Sequence, residues 1–104
     1  EAARRVIERA AELDGDHYEI LTPAAERLFA KHPLAATLLL RAMIDFSLQR
    51  ARSSRYRHAA RHFMDCGTLA SSIEDFGAFE THEAYVARLR AEHGRKTAFW
   101  SLVV

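Results

Sequence analysis

One stretch constrains this chain more than any other: an apolar run from Pro33 to Arg52, a Ser53-Ser54 break, and a second patterned stretch from Arg55 to Ile73. The first part carries Leu34, Leu38, Leu39, Leu40, Met43, Ile44, Phe46 and Leu48, which on a helical wheel cover well over half the circumference and leave Thr37, Arg41, Asp45 and Arg52 as a narrow polar stripe. A helix apolar on that much of its surface belongs at the centre of a fold, with neighbours on more than one side. The second part is two-faced: Tyr56, Ala59, Ala60, Phe63, Gly67 and Ala70 recur at helical steps, while Arg57, His58, Arg61, His62 and Asp65 point away. Two helices joined by so short a turn lie antiparallel, and the small residues of the second allow close approach.

The flanks read as further helices. Residues 1 to 13 place Val6, Ile7, Ala10, Ala11 and Leu13 on one face, and the Asp14-Gly15-Asp16 cluster stops that helix. Thr22-Pro23 reads as a helix start, because threonine caps free N–H groups and proline at the first helical position loses no needed bond. That helix carries Leu28 and Phe29 and ends before Pro33, which opens the central helix. Glu74 to Glu80 lacks helical spacing and reads as a loop pinned by Phe76 and Phe79. Thr81 caps the next helix, whose buried side is Ala84, Tyr85, Val86 and Leu89, with Arg88 and Glu92 an exposed i,i+4 pair and Gly94 the stop. Thr97 to Val104 is too apolar for water and reads as a short closing helix with frayed last residues. Strand periodicity is missing, so the expectation is one all-α domain over residues 1 to 104, a bundle of about five to six helices.

Two resemblances support that fold. In the tetratricopeptide-type helix pair the first helix wants a large apolar residue, then three positions on another followed at once by a small one, as Met43, Phe46 and Ser47 stand here. Its second helix wants aromatic, small, aromatic and small where Tyr56, Ala59, Phe63 and Cys66 fall. Arg50 departs from the usual aromatic, and Ser71 lies near the expected closing proline. In addition, the segments LAATLLLRAMIDFSLQRARSSRYRHAARH and HEAYVARLRAEHGRKTAFWSLV resemble an uncharacterised bacterial all-helical family, often the C-terminal part of longer proteins. That resemblance implies an all-helical fold and no particular activity.

Composition limits what such a bundle does. A chain of 104 residues buries roughly two-thirds of its unfolded surface, enough for a core without disulfide or metal. With Glu1 first, a fragment of a longer protein is the expectation. The lone Cys66 suits a reducing compartment, no secretory signal pattern opens the chain, and Arg41 interrupts the longest apolar run, so a cytoplasmic location is expected. A net charge of +1 supplies no global field for nucleic acid or an anionic membrane. The chain is nevertheless dipolar, because Arg50 to Arg61 holds five arginines and no acid.

Four groups invite a chemical reading. His58, His62 and Asp65 fall within about 60° of one another on a helix, a spacing that suits a divalent metal; the plainer account is a solvated face. Cys66, one turn past His62, is either half of a thiol–imidazole pair or, as expected from its place beside Ala59 and Phe63, a small core residue. Arg52, Arg55, Arg57 and Arg61, with Arg50 and Tyr56, are candidates for binding a partner or a phosphate-bearing nucleic acid; the plainer account has them balance the end of the central helix and pair with the acidic segments. Phe99 and Trp100 suit either a homodimer contact or closure of the bundle, and closure is the expectation. No serine–histidine–acid grouping, paired carboxylates or phosphate loop is evident, so no enzyme activity and no cofactor are expected. A helical protein-interaction or scaffold module is the leading functional expectation, with a metal- or ligand-binding His58/His62 face and a nucleic-acid-binding arginine tip as the alternatives.

Overall fold

The computed structural model describes residues 2–103, which form six α-helices and, among the described residues, no strand. They are α1 (Ala2–Glu8), α2 (Tyr18–Leu28), α3 (Pro33–Gln49), α4 (Tyr56–Ala70), α5 (His82–His93) and α6 (Thr97–Trp100), with short 3-10 turns at Ala10–Glu12 and Ser53–Arg55.

The central position expected for the apolar run is what α3 occupies. Pro33 stands at its first turn, where a missing N–H costs no bond. Ala36, Leu39, Leu40, Met43, Ile44 and Leu48 are all buried, and α1, α2 and α4 pack directly on the helix. The antiparallel partner α4 presents Tyr56, Ala59, Ala60, Phe63, Cys66 and Leu69 to this core, with the alanines permitting close approach. Gly67, expected on that face, is exposed. The α3–α4 turn differs in detail from the expected Ser53-Ser54 pivot. It is a Schellman closure, in which Arg52 N–H donates to the Ser47 carbonyl at 2.9 Å and Ala51 N–H to the Leu48 carbonyl at 3.2 Å. Ala51 takes the left-handed conformation, φ 50°, that this motif usually reserves for glycine.

Upstream of α3 two expectations are corrected. The helix expected over residues 1 to 13 breaks after Glu8 and continues as the Ala10–Glu12 turn, after which the chain comes onto α3. Gly15 is the landing point: a Cβ there would collide with the Ala42 carbonyl oxygen and come within 2.6 Å of the Phe46 Cβ. The second correction concerns α2, which starts at Tyr18 rather than at Thr22-Pro23, so that Pro23 lies inside it. Proline there forfeits one backbone bond. Burial of Leu21 and Ala25 against the core outweighs it, and Thr22 caps nothing, its hydroxyl instead donating to the Met43 sulfur at 3.3 Å.

At the other end, Thr81 caps α5 as expected, its Oγ1 accepting from Ala84 N–H at 3.2 Å, and Gly94 follows its last residue. Tyr85 and Leu89 are buried, whereas Ala84, expected beside them, is exposed. Phe99 of α6 is fully buried edge-on to Tyr56 and Phe63, and Trp100 donates its indole N–H to the His93 carbonyl at 2.9 Å. The closing segment thus packs on its own bundle; Val104 lies outside the described residues. The resulting radius of gyration is 12.8 Å, that of a compact domain of this length, about 13 Å.

Candidate functional site

The polar stripe of α3 does not face water. Thr37 and Arg41 are buried and Asp45 is half-buried; α5 and the loop before it lie across Arg41 and Asp45, through Phe76, Tyr85 and Arg88. The structure thereby gathers side chains far apart in sequence along an open cleft of about 640 Å³, bordered by Leu13, Gly15, Arg41, Phe46, Phe79 and Arg88. Its floor is α3, one wall is the backbone around Gly15, and the other is formed by residues 78–80 with α5.

Most of the charge in this cleft is internally matched. Arg88 grips Glu80 through two parallel bonds, Nε to Oε2 at 3.0 Å and Nη2 to Oε1 at 3.1 Å, and also reaches Glu92 at 3.3 Å and Asp45 at 3.6 Å. The expected Arg88–Glu92 pair is therefore one arm of a larger, half-buried clasp. A bidentate guanidinium–carboxylate pair fixes orientation as well as distance. The Tyr85 hydroxyl donates to Asp45 Oδ1 at 2.9 Å. Burial raises the Asp45 pKa from its ordinary value, against the pull of Tyr85 and Arg88. It also drives the Tyr85 phenol well above its usual value, with the Asp45 charge adding to the effect. Glu80 in turn holds Arg88 charged.

Arg41 is the exception. Only 6% of it is exposed, and its guanidinium lies over the Tyr85 ring at 4.5 Å and over the Phe76 ring at 5.5 Å. Its Nε and Nη2 are buried without a hydrogen-bond partner, and it makes no ion pair among the described residues. Arg41 and Asp45 had a legible signal, two charged residues one turn apart on an otherwise apolar helix. Their partners Tyr85, Glu80 and Arg88 had none, since only the fold brings them across.

The residues expected to carry function are distributed differently. His58, His62 and Asp65 border one smaller cavity, of about 230 Å³, between α2 and α4. His58 is exposed and Asp65 half-buried, but His62, expected to point away, is buried beneath α2. Burial, aided by the positive charges of His58, Arg55 and Arg61, pushes His62 down to about 4. Its Nε2 has no partner, and no group of three His, Cys, Asp or Glu side chains among the described residues is placed to hold a metal ion. Cys66 is a core residue with its thiol pushed up to about 12 by burial.

The arginines of the tip stack rather than pair with the acidic segments. Arg50 and Arg52 lie over the Phe46 ring at 5.2 and 5.3 Å, and Arg55 over Tyr18 at 3.7 Å. Arg57 and Arg61 border a different depression, beside Met64 and Leu102. The run that is continuous in sequence is divided in space.

The profile of a family of unknown function (DUF6880) matches residues 1–102. The chain belongs to that family. No curated protein and no solved structure matches it. No helix among the described residues is long and apolar enough to cross a membrane.

Proposed function

We propose that this member of the DUF6880 family is a cytoplasmic protein-interaction module whose docking face is the cleft between the Gly15 segment, α3 and α5. The observation that carries this reading is the Arg88 clasp. A guanidinium held by Glu80, Glu92 and Asp45, with Asp45 in turn held by Tyr85, makes one wall of an open groove rigid before anything binds. Preorganised walls lower the ordering cost of association. Binding rather than catalysis is further supported by the two groups nearest to being nucleophiles: the Tyr85 phenol and the Cys66 thiol are both driven by burial toward their protonated, unreactive forms.

Peptide-library selection on the folded protein tests the reading. Binders are expected to perturb backbone resonances of Ala42, Phe46, Gln49 and Phe79, and to lose affinity when Ala42→Arg fills the floor. Binders that map only to the Arg57/Arg61 side would move the docking face there, and a selection that returns none would refute the proposal.

A further inference from the structure

We infer that Arg41 is the receptor for a single carboxylate carried by the partner that docks in the cleft, an inference that rests on the cleft being the docking face. Arg41 is only 6% exposed, yet two of its nitrogens make no hydrogen bond. A desolvated cation with unmet donors is one of the most unfavourable arrangements a fold can hold, and buried charges are ordinarily paired. Asp45, one turn along α3, is committed to Tyr85 and Arg88, Glu80 to Arg88, and Asp75, beside Phe76, accepts from Gly77 N–H. Among the described residues, none neutralises Arg41.

The surroundings define what does. Tyr85 and Phe76 cover the guanidinium with their rings, which leaves the planar edge as the direction from which an acceptor approaches. A carboxylate matches that edge with two parallel N–H···O bonds. Nε and Nη2 are closed to solvent in this arrangement, so the inferred contact requires the Phe76 loop, whose ring lies 5.5 Å from the guanidinium, to be displaced by the incoming carboxylate. Gly77 in that loop, at φ 60°, has open space where a side chain would be.

Charge in the cleft selects among anions. Asp14, Asp45 and Glu80 border it together with Arg41 and Arg88. A phosphate or a run of acids brings more negative charge against these carboxylates than does one carboxylate on an otherwise neutral or basic segment. Both a free C-terminus and an Asp or Glu side group supply that carboxylate.

The test follows the Arg41 Nε–H resonance, assigned by its disappearance in Arg41→Met, in the 104-residue chain at constant ionic strength. Acetate is expected to shift it to saturation, with acetamide producing no shift and inorganic phosphate binding more weakly. Arg41→Lys keeps the charge but loses the planar fork, and is expected to weaken acetate binding by about tenfold, read from shifts of neighbouring amides. Of N-acetylalanine and N-acetylaspartate N-methylamide, the tighter binder identifies the C-terminal or the side-group source. A stability measurement separates this role from a structural one: Arg41→Met is expected to raise the melting temperature in anion-free buffer, because it removes an unpaired buried charge.

A fall in melting temperature, a phosphate affinity equal to that of acetate, or no acetate shift would each overturn the inference. If selected peptides still map to the cleft while acetate is inert, the carboxylate receptor fails and the docking face stands. If acetate shifts Arg41 while peptides map elsewhere, the docking face fails, and with it the partner's carboxylate.

Discussion

Arginines at the hairpin tip and arginines in the cleft use the same side chain in opposite ways. At the tip, Arg50, Arg52 and Arg55 are close in sequence and lie over the rings of Phe46 and Tyr18, stacked rather than clamped by carboxylates. In the cleft, Arg41 and Arg88 are far apart in sequence; one is clamped by three carboxylates, and the other is buried with donors unmet. Density of charge along a sequence is therefore a poor guide to organised charge in space. An exposed cation over a ring contributes about 0.5–1 kcal/mol, while a bidentate or buried contact carries more and tolerates less change.

The contrast can be broken first at the cleft wall. Gly15→Ala is expected to cost about 3 kcal/mol, or a fall of some 10–20 °C in melting temperature, because the added Cβ strikes the backbone of α3 and only movement of the wall relieves it. Circular-dichroism melting checks it; a change of only a few degrees would mean that the Gly15 segment is not seated as described.

Acid tests the second buried polar site. His62 has a folded pKa of about 4, below its ordinary value of 6.5, so between those values the unfolded state binds more protons than the folded one. Stability is accordingly lost as pH falls from about 6.5 to 4, by up to about 3 kcal/mol, and changes no further from this source below that window. Urea unfolding across that range, compared with His62→Leu, isolates the contribution; the variant is expected to show a flatter dependence, and an identical slope would place His62 in solvent.

Substitution of the arginines themselves sharpens the contrast. Arg88→Ala is expected to cost about 2 kcal/mol, since it leaves half-buried Asp45 and Glu80 without their cation, whereas Arg52→Ala and Arg55→Ala are each expected to stay within about 1 kcal/mol. Equal losses at both places, measured by urea unfolding, would erase the distinction. The smallest expected effect has the opposite sign. Ala51→Gly at the tip should gain about 0.5–1 kcal/mol, because glycine adopts φ 50° without the penalty of a Cβ; a loss would show that the turn is not held in that conformation.

Much of the fold was legible for a local reason. Proline at the start of α3, threonine before α5 and alternation of large and small residues on α4 act through the nearest turn of helix, so their consequences can be read residue by residue. Legibility failed where a distant contact overrode a local preference. Pro23 signals a helix start, yet Leu21 and Ala25 need the preceding turn in order to seat on α3. His62 belongs to a polar face until α2 covers it. Arg88 and Glu92 read as an exposed pair because Glu80, the stronger partner, approaches from the loop before the helix.

Taken alone, the sequence determined that the protein is helical, that the apolar run opening at Pro33 lies at its centre, that Cys66 is interior, and that Phe99 closes the bundle. Periodicity and residue size suffice for those conclusions, because burial of apolar surface depends on which face carries it and hardly on which neighbour covers it. Tertiary structure alone decided which polar groups meet: that α5 lies across Arg41 and Asp45, that Arg88 is clasped, and that Arg41 is left with donors unmet. Hydrogen bonds and ion pairs are short-ranged and directional, so their partners exist only once distant segments have been placed.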